Sequence, residues 1–277
     1  MSIDLNAALA VAEELARRAG ALVLEGLHKP RHVDYKGAVD LVTEYDGLSE
    51  ALIVRGLLEN YPDHHVVGEE GGGMGAPIEA APYRWYIDPL DGTTNYAHGI
   101  PYFSVSIALA GSDAVPLLGV VYDPTRDECF RAVRGQGAAC NGQPMHVSTV
   151  DDLSRAALVT GFPFDRRVNP DNNVTEFRNF LVRAQTISRM GSAALDLSYV
   201  AAGRFDGFWE MRLNPWDMQA GAICVVEAGG RVSDYQGQSG TATLYRGRQV
   251  VASNGLIHEQ MLTVINQGDA APRPDKP

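Results

Sequence analysis

The chain has 277 residues, 45% of them hydrophobic and 21% charged, a composition that supports a sizeable buried core rather than a disordered or fibrous polymer. Its formal net charge of −11 argues against a general nucleic-acid or anionic-membrane binder, because such binding draws on clustered Lys and Arg. A phosphorylated substrate stays compatible with that charge if metal ions reverse the local field.

Leu5, Leu9, Ala12, Ala16, Ala19 and Val23 recur at helical spacing and predict a long amphipathic first helix, closed by Pro30. A second helix is predicted over 46–60, with Leu48, Leu52, Val54, Leu57 and Leu58 as its apolar positions and Pro62 beyond its end. Short β-type runs follow at 65–67, 83–87, 103–109, 117–122 and 128–133, separated by turn residues that suggest antiparallel meandering. The second half alternates strand and helix. Strands are predicted at 157–160, 186–190, 205–211, 231–233 and 249–253, and helices at 172–184, 192–202, 215–227 and 256–265. Elements of both kinds in both halves favour a layered α/β sandwich. Residues 1–267 read as a single domain, and 268–277, rich in Pro, Ala and charge, as a mobile tail.

Cys129, Cys140 and Cys224 are widely spaced, so neither a disulfide framework nor a CxxC metal site follows, and free thiols in a reducing cytosol are expected. The N-terminus lacks an export signal and no apolar run reaches membrane-spanning length, so the expected address is the cytoplasm.

The stretch Asp88-Pro89-Leu90-Asp91-Gly92-Thr93-Thr94-Asn95 follows the apolar run Trp85-Tyr86-Ile87, which reads as the end of a buried strand. It places two carboxylates on a tight turn, with backbone N–H groups and hydroxyls behind them. Hard divalent cations take such oxygen ligands and phosphates take such donors. Three further acidic segments stand beside it: Gly68-Glu69-Glu70 after a strand, Thr43-Glu44-Tyr45-Asp46 at a helix start, and Asn214-Pro215-Trp216-Asp217. In the last, Asn214 suits the N-cap and Pro215 the first helical position, which puts Asp217 in the first turn. Taken singly, each has an ordinary explanation as an acidic loop, a turn or a cap; their joint occurrence in this order does not.

That set closely resembles the inositol monophosphatase family, Mg²⁺-dependent and Li⁺-sensitive phosphomonoesterases. The match runs through Asp40-Leu41-Val42-Thr43 to Asp46, Gly68-Glu69-Glu70, Trp85 to Asn95, Gly191-Ser192-Ala193-Ala194, and Trp216-Asp217 with Glu227-Ala228-Gly229-Gly230. The resemblance implies a five-layered αβαβα sandwich of the inositol monophosphatase and fructose-1,6-bisphosphatase type. It also implies two to three Mg²⁺ ions per site, with Li⁺ inhibitory. Glu69, Asp88 and the Leu90 carbonyl would hold the first ion; Asp88, Asp91 and Asp217 the second; Glu69 would support a third. Gly92 and Thr93 N–H groups would hold phosphate oxygens, while Thr93 and Asp46 would orient and activate water.

The physical chemistry is consistent with these roles. Phosphomonoesters repel hydroxide, so cations must neutralise charge and supply the nucleophile; paired ions about 4 Å apart clamp the attacking and leaving oxygens. Placement and electrostatics then provide most of the catalysis. Carboxylates suit Mg²⁺, whereas zinc would call for His or Cys ligands. Competing designs are missing: there is no GxSxG, HExxH or P-loop motif, and no Asp-x-Asp at the acidic segment. A Cys-x5-Arg loop fails because Gly135 and His146 stand where Arg is needed.

On the leaving-group side the resemblance assigns Glu210, Asp91 and the backbone near Ala193 to inositol hydroxyls; a solvent-facing strand charge is the alternative for Glu210. Relatives use fructose 1,6-bisphosphate, 3′-phosphoadenosine 5′-phosphate, histidinol phosphate or NADP. The segment from Gly161 to Arg167 resembles bacterial members, and Arg166 and Arg167 could reach a second phosphate. A homodimer is implied by resemblance alone. A regulatory role as a partner of transcription or RNA machinery is the alternative of another class, although the acidic charge speaks against direct RNA binding.

Overall fold

The computed structural model describes residues 3–27, 29, 33–35 and 41–268. Pro30, Asp40 and residues 269–277 of the expected tail lie outside the described residues. The chain runs α1 (Leu5–Leu27), β1 (Val33–Tyr35), β2 (Leu41–Thr43), α2 (Glu44–Asn60), β3 (His65–Gly68), β4 (Gly72–Gly75), β5 (Tyr83–Asp91) and α3 (Thr93–Ala97). A meander follows: β6 (Ser104–Gly111), β7 (Pro116–Asp123), β8 (Glu128–Val133), β9 (Gly137–Cys140) and β10 (Gln143–Pro144). The second half runs β11 (Ala157–Thr160), α4 (Val174–Leu181), β12 (Thr186–Ser188), α5 (Ala193–Ala201), β13 (Gly207–Met211) and α6 (Pro215–Glu227). It closes with β14 (Arg231–Ser233), α7 (Ala242–Tyr245), β15 (Gln249–Ser253) and α8 (His258–Ile265).

Eight strands form one sheet in the order β10-β9-β8-β7-β6-β5-β3-β4, and five form a second in the order β12-β11-β13-β15-β14. The meander is antiparallel, as its turn residues predict; β3 and β5 pair in parallel. Strand alternation sorts the side chains between layers. Trp85 and Ile87 join the core beneath α1 and α2, whereas Tyr86 enters the central core shared with α5 and α6. Across the second sheet, Val159 and Phe208 face that central core while Leu158 and Trp209 face α4 and α8. The layers are therefore α1/α2, sheet, α5/α6, sheet, α4/α8: the expected αβαβα sandwich. Close approach fixes the middle layer, because a Cβ on Gly119 of β7 would lie 2.6 Å from the Ala220 carbonyl of α6. Burial at that spacing stabilises by about 25 cal/mol per Å² of apolar surface and seats the start of α6 over the sheet. Among the described residues, no helix is long and apolar enough to cross a membrane.

Candidate active site

Asp88 shares the face of Tyr86 on β5, so it points toward the α5/α6 layer. The Asp88–Asp91 segment is not the expected turn. β5 continues through Asp91, pairing Asp88 with Ser106 and Asp91 with Ser104 of β6, with a register break between them. Such a break re-aims side chains at a strand end. The Leu90 N–H donates to Asp88 Oδ1 at 3.0 Å. Gly92 then turns the chain into α3 at φ 99°, a conformation open to glycine, and a Cβ there would stand 3.1 Å from both the Gly191 and Tyr102 carbonyls.

Asp91, Asp46 and Asp217 are each held by internal donors. Asp91 Oδ2 accepts from Ser192 Oγ at 2.6 Å and from the Ala194 N–H at 2.8 Å. Asp46 Oδ2 accepts from the Thr43 N–H at 2.8 Å and Thr43 Oγ1 at 2.7 Å, closing a capping box on α2. Asp217 does the same on α6, its Oδ2 accepting from the Asn214 N–H at 2.6 Å. Its carboxylate is thus tied back to its own helix start. Thr93 Oγ1 lies 3.1 Å from Asp46 Oδ1 and 3.0 Å from the Leu90 carbonyl, two acceptors for one hydroxyl proton.

Glu69, Asp88, Leu90, Asp91, Gly92, Thr93, Ala193, Glu210 and Asp217 all line one cavity of about 120 Å³. Every predicted site residue is there except Asp46, which reaches it through Thr93. Burial drives the electrostatics. Asp88 is pushed well above the usual carboxylate range by desolvation, then by the charges of Glu69, Asp91 and Asp217. Desolvation raises Asp91 to about 6 against its hydrogen bonds, and raises Asp217 well above its ordinary value with Glu69, Asp91 and Glu210 adding to the effect. Asp46 is raised by burial too. Glu210 is pushed up to about 8 by burial and by Asp196, with Arg189 opposing.

Among the described residues no three His, Cys, Asp or Glu side chains already close into an ion cage. The donor set nevertheless fits a hard cation: oxygen ligands only, clustered, and repelling one another until positive charge arrives. Asp88, Asp91 and Asp217 also keep lone pairs beyond the internal bonds described.

Three groups in the lining carry no assigned role in the sequence, although Ser192 and the Gly161–Arg167 segment lie within stretches that the resemblance covers. Ser192 both caps α5, accepting from the Leu195 N–H, and donates to Asp91; a Ser before an apolar helical run was its only local signal. Arg189 lines the cavity as its one basic side chain, and Phe162 and Phe164 form its rim. Arg166 and Arg167 are exposed and absent from that lining. A larger groove of about 830 Å³ lies between α1 and β8–β9, where Glu13 is already paired with Arg17 at 3.2 Å and Arg131 at 2.9 Å.

The layered sandwich gathers its acids where strand ends meet helix starts, and the family match that goes with it places the chain among phosphatases. Residues 4–269 match the inositol monophosphatase family, and the chain belongs to it. It is 46% identical over 261 residues to the Nus factor SuhB of Pseudomonas aeruginosa, covering 93% of this chain and 95% of that one. It is 45% identical over 259 residues to an inositol-1-monophosphatase of Synechocystis, covering 93% and 88%. The solved inositol monophosphatase of Anabaena superposes with a TM-score of 0.86 at 41% identity, covering 98% and 99% of the two chains.

Proposed function

We propose that this chain is a single-domain, Mg²⁺-dependent phosphomonoesterase that hydrolyses inositol monophosphate or a similar small polyol phosphate. The observation that carries the reading is the convergence of Glu69, Asp88, Asp91 and Asp217 on one cavity, with the Thr93–Asp46 pair at its edge. Glu69, Asp88, the Leu90 carbonyl, Asp91 and Asp217 would hold Mg²⁺. Bound Mg²⁺ supplies charge neutralisation and makes water more acidic. The residues do the rest. Thr93 Oγ1 takes a proton from the attacking water and passes its own to Asp46 Oδ1, whose burial makes it a better base. Gly92 and Thr93 N–H groups receive phosphate oxygens. Asp91, held by Ser192 and Ala194, and Glu210 face the polyol hydroxyls, with Ala193 contributing backbone beside them.

Replacing Asp217 by Asn should abolish Mg²⁺-dependent phosphate release while leaving the fold intact by circular dichroism. Turnover equal to that of the wild type would overturn the reading. A release screen over inositol 1-phosphate, fructose 1,6-bisphosphate, histidinol phosphate, 3′-phosphoadenosine 5′-phosphate and NADP identifies the alcohol. We place the protein in the cytoplasm as a homodimer, with Li⁺ as an inhibitor. The relatives named Nus factor favour a second reading, a regulatory partner of transcription machinery. Partners captured equally well by Asp217→Asn and wild type would support it.

A further inference from the structure

One face of α2 grips three separate segments of the cavity. Asp46, Ser49 and Glu50 stand at spacings of three and four residues, hence side by side on the helix, and all are buried. Asp46 holds Thr93, and Ser49 Oγ donates to the Pro89 carbonyl at 2.9 Å. Glu50 has no part in the reaction described above, yet only 5% of it is exposed.

Both oxygens of its carboxylate are engaged by the loop after β3. The Glu70 N–H donates to Glu50 Oε2 at 2.9 Å and the Gly71 N–H to Oε1 at 2.6 Å. Two glycines make the room. A Cβ on Gly68 would collide with Oε2, and one on Gly71 would lie 2.7 Å from Oε1. Burying a carboxylate is costly unless its hydrogen bonds are met, and a mid-helix Glu ordinarily stays in solvent. This one holds the two N–H groups of Glu70 and Gly71 and packs against Gly68, and the residue enclosed between these contacts is Glu69.

We propose that Glu50 is a positioning residue that sets the Mg²⁺ affinity of the cavity by clamping the Gly68–Gly71 loop and so aiming Glu69. The inference rests on the Mg²⁺ reading above. Glu50 touches neither substrate nor reacting atoms; it acts through Glu69. Without it two N–H groups lose their acceptor, the loop relaxes, and ordering Glu69 draws on binding energy. Groups that orient metal ligands typically change affinity about 10–100-fold.

The test compares wild type, Glu50→Ala, Glu50→Gln and Arg55→Ala, the last an exposed position of the same helix. Calorimetric Mg²⁺ binding, phosphate release against Mg²⁺ concentration, and amide exchange at Glu70 and Gly71 are read on the intact chain. Glu50→Ala should weaken Mg²⁺ binding about tenfold or more, raise the Mg²⁺ half-saturation of turnover in step, and speed exchange at both amides. At saturating Mg²⁺ the substrate KM should stay near wild type. Glu50→Gln keeps the shape and one acceptor, so its shift should be smaller; it decides the matter where Glu50→Ala does not fold. Arg55→Ala should match wild type. A lower melting temperature with unchanged Mg²⁺ affinity would reveal a merely structural Glu50 and overturn the proposal alone. A wild-type chain that neither binds Mg²⁺ nor releases phosphate would overturn the functional reading and this proposal together.

Discussion

The two walls of the cavity are built differently. On the reaction wall, Asp88, Asp91 and Asp217, with Asp46 behind Thr93, each take a backbone N–H or a hydroxyl, and those donors come from capping boxes, a strand end and a helix start. The other part of the lining is the loop of Gly161, Phe162 and Phe164 with Arg189, and one acid raised by burial, Glu210. Phe164 is 51% exposed and Arg166 beyond it is exposed too. Interlocked donors fix geometry, so the first wall suits one unvarying reaction. Few fixed groups stand on the second wall, so under the proposed function we assign selectivity for the alcohol to it.

The comparison breaks most sharply at Asp46. Asp46→Asn keeps its shape but cannot take the Thr93 proton, so phosphate release should fall about 10²–10⁴-fold with little change in KM. A drop confined to KM would move Asp46 from the reaction to binding.

Stability against pH separates the regions next. In Mg²⁺-free buffer Asp91, raised from 3.8 to about 6, contributes stability that is complete below pH 3.8 and lost as pH rises through 6. His258, at the far side of the second sheet between Ser233 and Ser253, is pushed down from 6.5 to about 4 by burial and Arg231, with Glu259 opposing. Its contribution is complete above pH 6.5 and lost as pH falls through 4. A two-unit shift corresponds to about 3 kcal/mol, and the two slopes oppose over the same window. Denaturant titrations at pH 4.5, 6 and 7.5 should therefore show steeper acid loss in Asp91→Asn and reduced acid loss in His258→Gln. Parallel curves for both variants and wild type would contradict these assignments. Mg²⁺ should stabilise the wild type more at pH 7.5 than at 4.5, because its ligands must be deprotonated.

On the variable wall the effects shrink. Glu210→Gln should raise KM for inositol 1-phosphate about tenfold, the equivalent of one good hydrogen bond, while an ester without hydroxyls, such as methyl phosphate, is unaffected. An equal effect on both esters would remove Glu210 from polyol recognition. Arg166→Ala should stay within about twofold for every monophosphate, as exposed substitutions do. A marked rise in KM for fructose 1,6-bisphosphate alone would instead give that loop a second phosphate to hold.

Local signals explain which elements were legible. α6 follows its predicted span because Asn214 and Pro215 start it and Gly229-Gly230 stop it. α4 is shorter than its periodicity predicts, since Asn173 adopts a left-handed conformation at φ 68° and delays the first turn. β4, Gly72–Gly75, carries no side-chain pattern and exists through its pairing with β3. Pro89 and Gly92 read locally as a turn around Asp88 and Asp91, but pairing with β6 carries the strand through Asp91.

The sequence by itself determined the inventory of acids, the helix starts that carry Asp46 and Asp217, and the layered class, because caps and periodicity act over a few residues. Only the tertiary structure decided who holds whom. Ser192 and Ala194 reach Asp91 from 101 and 103 residues away, and Glu50 meets its two donors only when the Gly68–Gly71 loop folds over it. A hydrogen-bond partner set by packing leaves no spacing to read; it is fixed when the sheets and helices close on one another.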